Sequence, residues 1–316
     1  MEKRMFGYTE MQVAPLAFGG NVFGWTVDEA RSFELLDRFV AEGFNLVDTA
    51  DVYSTWASGN KGGESETIIG NWMKKRGNRQ DLVIATKVGG DMGQGKTLSG
   101  KWVLQACEDS LRRLQTDYID LYQTHWDDVS TPVGETLEAY TQLIKEGKVR
   151  AIGTSNMSPE RLRESLEYSR ENKLPSYQSL QPEYNLYNRE KYETQYEPIV
   201  KDEGMAVLCY YSLASGFLTG KYRSEEDVNK SARGGGVVKS YLNERGIRIL
   251  QALDEVAARY NSKPATVALA WLIARKTISA PIASATSISQ LEDLMKSAQL
   301  GLDEEAVKSL DEASRY

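Results

Sequence analysis

The sequence predicts a (β/α)8 TIM barrel with an N-terminal β-hairpin, and three observations carry that expectation. Eight short apolar runs alternate with helix-like segments along 316 residues. The runs are near-continuous rather than alternating, which suits parallel strands covered on both faces. No linker or low-complexity tract divides the chain. Residues 1–316 are therefore expected to form one domain, since α/β barrels often reach this length as a single unit.

The elements follow in order. KRMFGYTEMQV, ahead of Ala14, reads as a small hairpin at the closed end of the barrel. The strand candidates are APLAF from Ala14, FNLVD from Phe44, LVIATK from Leu82 and YIDLYQTH from Tyr118. VRAIGTSN from Val149, YQSLQPEYN from Tyr177, MAVLCYYS from Met205 and ISAPIAS from Ile278 complete the eight. Between the first two, Thr26 and Glu29 read as a capping box, followed by Phe33, Leu36, Phe39 and Val40 at helical spacing. Thr131-Pro132 and Ser158-Pro159 each place a cap before a proline at the first helical position. Gly77, Gly147 and Gly204 stand where helices should stop. The polar stretch 223–239, which contains RGGG, is read as a loop able to close over the site.

Composition narrows the function classes. The chain is 41% hydrophobic and 26% charged, with a net charge of −7 and no basic block, which argues against a nucleic-acid partner. MEKRMFGYTE lacks the apolar core of a signal peptide, and no run is long enough to span a bilayer. Cys107 and Cys209 sit in apolar surroundings and read as buried free thiols, so the cytoplasm is the expected compartment. No metal-ligand cluster is apparent.

In a barrel, chemistry gathers at the C-terminal strand ends. The second strand ends at Asp48, with Tyr53 in the following loop. The third ends at Lys87, and the fourth at His125, the chain's one histidine. Each has an ordinary structural reading alone: a turn cap, one of 17 tyrosines, a solvated strand end, a satisfied histidine. Together they form a proton-transfer set. A lysine ammonium beside a phenol favours the phenolate and lowers its pKa from about 10. Asp48 would hold Lys87, and His125 would orient a substrate oxygen. A carbonyl protonated this way needs hydride, which no side chain delivers and a nicotinamide does. No G-x-G-x-x-G follows any strand, so the cofactor is expected along the later strand ends: Ser155, Asn156, Gln181 and Tyr211. Trp25, Trp56 and Trp126 lie just past strand ends and read either as substrate-pocket lining or as loop packing.

With GFNLVDTADVYS, IATKV, YIDLYQTHW, GKVRAIGTSN, LQPEYN and YYSLASGFLTGKY in view, the chain resembles the aldo-keto reductases over nearly its full length. It most resembles the bacterial branch related to potassium-channel β-subunits. The resemblance implies Tyr53 as general acid, Lys87 and Asp48 as its partners, and His125 as the orienting group. It further implies Ser155, Asn156 and Gln181 on the nicotinamide amide, with Tyr211 on the ring. Leu213, Ser215, Gly216, Leu218 and Lys221 would line the pyrophosphate, although Gly216 and Leu218 also suit turn and packing roles. At the adenosine end the chain departs from the family. Ser284, Thr286 and Leu294 stand where many members carry Gly, Arg and Asn. Ser284, Thr286 and Gln290 can hydrogen-bond a 2′-phosphate without supplying a cation. The resemblance favours NADP(H), with NAD(H) as the alternative, and a small carbonyl substrate.

GGDMGQGKT, from Gly89, contains the spelling G-x-x-x-x-G-K-T of a P-loop. A P-loop runs straight into a helix, whereas here the helix is expected to start only at a Ser99 cap. The match reads as a coincidence, with Lys96 at most touching an anionic ligand. Three other readings stand beside the reductase: a redox-sensing nicotinamide-binding subunit with negligible turnover, a P-loop NTPase using Lys96, and a Schiff-base enzyme using Lys87.

Overall fold

A computed structural model describes residues 1–231 and 234–316. An antiparallel pair, β1 (Arg4–Met5) and β2 (Gln12–Val13), opens the chain. Eight parallel strands then close into a barrel: β3 (Ala17–Gly19), β4 (Leu46–Asp48), β5 (Val83–Val88), β6 (Ile119–Thr124), β7 (Val149–Ser155), β8 (Ser179–Gln181), β9 (Ala206–Cys209) and β10 (Ala280–Ala283). Each pairs with its neighbour in sequence, and β10 returns to β3. All eight expected strands are present, most of them shorter than the apolar runs that announced them.

The outer layer is helical. It comprises α1 (Glu29–Ala41), α2 (Glu64–Arg76), α3 (Gly100–Leu114), α4 (Val133–Lys145), α5 (Pro159–Asn172), α6 (Glu197–Glu203), α7 (Gly234–Tyr241), α8 (Glu244–Arg259), α9 (Pro264–Ile273), α10 (Ile288–Met295) and α11 (Glu304–Ala313). Ser158 caps α5 as expected, its hydroxyl accepting from Arg161 N with Pro159 in the first turn. Two other expected caps are corrected. Asp28, not Thr26, caps α1, because its carboxylate reaches Arg31 N while Thr26 lies in the preceding turn. Pro132 is itself the cap position of α4, and Thr131 turns its hydroxyl to Asp128 instead. Ser99 holds the cap position of α3, but its hydroxyl makes no capping bond. Glu135 of α4 supplies it, accepting from Gly100 N at 2.8 Å.

The stretch 223–239 also differs from a polar loop. Residues Glu225–Lys230 form a 3-10 turn, and Gly234–Tyr241 form α7 with Val237 and Val238 buried. Ala232 and Arg233 lie outside the described residues.

Two apolar cores result. The larger lies between strands and helices and contains Phe18, Trp72, Tyr122, Tyr140 and Trp271. The smaller fills the barrel bottom with Leu46, Ala85, Leu121, Ala151 and Leu208, and is plugged from below by Phe6 and Val13 of the hairpin segment. Side chains alternate along each strand. The same inward rows that begin with Leu46, Ala85, Leu121 and Ala151 therefore end, at the opposite mouth, with Asp48, Lys87, Gln123 and Ser155. Strand pairing sets Lys87 beside Gln123 and Ser155 beside Gln181.

Candidate active site

Asp48 and Lys87 come from adjacent strands and are both almost completely buried. The Lys87 ammonium has three acceptors, each at 2.8 Å: Asp48 Oδ2, the Thr49 carbonyl and the Tyr53 hydroxyl. Tyr53 donates its own proton to Asp48 Oδ2 at 3.0 Å. The three groups thus form a closed triangle. A buried charge is tolerated only when paired and hydrogen-bonded, and here every ammonium proton is used. That leaves the lysine without a free position for imine chemistry.

The His125 ring meets Tyr53 edge-on, with centroids 5.9 Å apart, and stacks on Trp126 at 3.7 Å. His125 Nδ1 is buried with no partner among the described residues. An unpaired acceptor costs less than an unpaired donor in that position, so the proton belongs on Nε2. Burial, aided by the positive charges of Lys87 and Lys96, holds this imidazole well below its usual pKa and therefore neutral.

The phenol behaves differently from expectation. Burial and the Asp48 carboxylate hold Tyr53 well above the usual phenol value. Burial also lowers Lys87, against the pull of Asp48. The Lys87 ammonium alone would lower the phenol, but desolvation of the phenolate and the Asp48 charge oppose it and prevail. A phenol that keeps its proton is nevertheless suited to give it to a strong base such as a developing alkoxide, with Lys87 in place to stabilise the phenolate.

The later strand ends form a connected polar rim. Ser155 Oγ donates to the Gln181 carbonyl at 2.8 Å. Asn156 Nδ2 donates to the His125 carbonyl at 2.9 Å, and its Oδ1 accepts from the Tyr210 hydroxyl at 2.9 Å. Gln181 Nε2 reaches Asp48 Oδ1 at 2.8 Å, joining this rim to the triangle. Tyr211 presents a half-exposed ring. Beyond it Ala214, Ser215 and Gly216 are successive left-handed residues, with φ of 47°, 56° and 94°. Left-handed non-glycine backbone costs about 1 kcal/mol or more per residue and is retained where geometry demands it. The Lys221 ammonium lies over this turn, 3.6 Å from where a Gly216 Cβ would stand. A strained backbone turn under a lysine fits a diphosphate. Leu213 packs against the core and Leu218 is fully buried, so its side chain faces away from any ligand there.

At the adenosine end, Thr286 donates its amide and hydroxyl to Gln290 Oε1. Ser284 instead turns to the Gly19 carbonyl at 2.7 Å and to Asn21. Leu294 is buried in the core. Around the mouth, Trp25 and Trp56 meet edge-on at 5.8 Å, and Trp56 tilts against Tyr53 at 6.1 Å.

Residues 15–315 match the family model described as the Aldo/keto reductase family. The chain belongs to the aldo-keto reductase family. It is 31% identical to Protein tas of Escherichia coli, over 98% of this chain and 97% of that protein. It is 32% identical to Aldo-keto reductase YhdN of Bacillus subtilis, over 93% and 86%. It is also 31% identical to an Arabidopsis thaliana protein named "Probable voltage-gated potassium channel subunit beta", over 94% and 90%. Membership of this family makes the chain an oxidoreductase.

Four contributors to the site of this aldo-keto reductase escaped the sequence reading. Gln123 lies 3.4 Å from Gln181 Nε2, and Tyr210 binds Asn156. The period-2 rows that end in His125 and pass through Leu208 carry a usable signal for both. Asp51, buried with its amide directed at the Lys87 carbonyl, and the Thr49 carbonyl left no such signal. The GGDMGQGKT segment is a loop that ends before α3. Its Gly93 and Gly95 amides both donate to Asp91 Oδ1, so the donors a triphosphate would need are spent.

Proposed function

We propose that this aldo-keto reductase reversibly reduces aldehyde and ketone carbonyls to alcohols with NADP(H). The observation that carries the reading is the Asp48–Lys87–Tyr53 triangle, built on a buried ion pair, with the neutral His125 ring against it. When bound, the nicotinamide supplies hydride to the carbonyl carbon. Tyr53 gives its proton to the carbonyl oxygen as negative charge develops there, and Lys87 stabilises the phenolate that remains. Asp48 fixes Lys87, and His125 orients the oxygen through Nε2–H. Ser155, Asn156 and Gln181 would hold the nicotinamide amide, Tyr211 the ring, and the 214–216 turn with Lys221 the diphosphate. Thr286 and Gln290 would meet the 2′-phosphate of NADP(H). With no cation at these positions, NAD(H) should be used as well. Trp25, Trp56 and Trp126 would line an aromatic-tolerant substrate pocket.

Tyr53→Phe tests the mechanism. It should lower kcat for benzaldehyde reduction, followed by NADPH absorbance, at least a hundredfold while NADPH still binds. A smaller loss would remove Tyr53 from the role of acid. The likeness to a protein named as a channel subunit favours one second reading, a nicotinamide-binding redox sensor with negligible turnover. Wild-type protein that binds NADPH yet consumes none across a panel of aldehydes and ketones would establish it.

A further inference from the structure

The GGDMGQGKT segment, from Gly89, stands at the site mouth. Its Lys96 ammonium lies 4.9 Å from the centre of the Trp126 ring, and Trp126 is the ring stacked on His125. Lys96 is exposed, and among the described residues it forms no ion pair. The nearby acids take their hydrogen bonds from other groups, and of them Asp91 is close enough for its charge to act on Lys96. Asp127 is held by Arg161 at 3.3 Å. Asp128 accepts from Leu98 N, Ser130 and Thr131. Asp91 accepts from Gly93 and Gly95 within the loop itself. The loop is also braced by Gln94, which donates to the Gly90 carbonyl at 3.0 Å. Gly90 packs so closely that a Cβ there would meet Val52 at 2.2 Å and Trp126 at 3.2 Å. A short braced loop thus presents one cation, near Asp91 but in no direct ion pair among the described residues, above an aromatic wall that begins at His125.

We propose that Lys96 recognises an anionic group on the substrate, and that the preferred substrates are aldehydes carrying a carboxylate beyond an aromatic or apolar body. This rests on the reductase reading above and names its substrate class. The body would lie against Trp126 and Trp56, the carbonyl oxygen would meet Tyr53 and His125, and the far carboxylate would meet Lys96. An ammonium paired with a carboxylate at such an exposed position contributes up to about 1 kcal/mol, roughly fivefold in affinity.

The test compares 4-carboxybenzaldehyde with 4-nitrobenzaldehyde, whose nitro group has the carboxylate's shape without its charge. The ratio of their kcat/KM values should fall about fivefold in Lys96→Met, fall further in Lys96→Glu, and recover in Lys96→Arg. Raising ionic strength should shrink the wild-type ratio. A ratio unchanged in Lys96→Met, or rates for both aldehydes falling together, would overturn the proposal. Binding of the two aldehydes is also titrated by tryptophan fluorescence, which reads affinity without turnover. Lys96-dependent selectivity in binding with no NADPH consumed would sink the reductase reading and keep the anion site. Turnover without that selectivity would do the reverse.

Discussion

Asp51 has one carboxyl oxygen, Oδ2, buried without a partner among the described residues, while Oδ1 accepts from Val52 N at 2.7 Å. Burial, together with the nearby Glu66 carboxylate, raises its pKa to about 8, against the smaller opposing pulls of Arg113 and Lys87. The folded state therefore holds a proton that the unfolded chain releases near pH 4. Stability from this group is fully present below pH 4 and is lost as pH rises through about 8, with a slope of up to about 1.4 kcal/mol per pH unit. Asp51→Asn, which resembles the protonated acid, should flatten that slope. Urea unfolding at pH 6 and pH 8.5 reads it: the loss between the two should be clear in wild type and reduced in the variant. Equal losses in both would place the proton elsewhere.

At the scale of elements, local chemistry and neighbouring elements share the work. Helix α5 carries its own cap in Ser158, whereas α3 borrows Glu135 from α4. The 214–216 turn is the element on which the proposed diphosphate site depends. Gly216, at φ 94°, tolerates its conformation because it has no Cβ. Gly216→Val would force a β-branched residue into the left-handed region and crowd Lys221. Its Kd for NADPH, measured by fluorescence quenching, should rise at least tenfold, with the melting temperature only modestly lowered. Unchanged affinity would move the diphosphate to another part of the rim.

At the scale of the molecule, the barrel is a polarised tube with an apolar bottom closed by the hairpin segment and a polar mouth bearing the site. Arg4 fastens the hairpin by donating to the carbonyls of Ile273 and Ile278, both at 2.8 Å, which ties it to the connection between α9 and β10. Phe6 is fully buried in that plug. Phe6→Ala should cost about 3–5 kcal/mol in urea unfolding. A cost below about 1 kcal/mol would mean that the hairpin covers the bottom without sealing it. Among the described residues no helix is long and apolar enough to cross a membrane.

The sequence alone determined the barrel, because eight apolar runs between helical segments leave few ways to bury both faces of a parallel sheet. It also placed Asp48, Lys87 and His125 at strand ends, since strand direction and length follow from local pattern. Only the tertiary structure decided what those residues do to one another. The Gln181–Asp48 bond joins residues 133 apart in sequence, and the Glu135 cap of α3 comes from a different helix. The protonated state of Tyr53 depends on how completely the assembled mouth excludes water. Periodicity reports which face a residue occupies. It carries no measure of desolvation or of the partner that another strand delivers, and those two quantities set the chemistry.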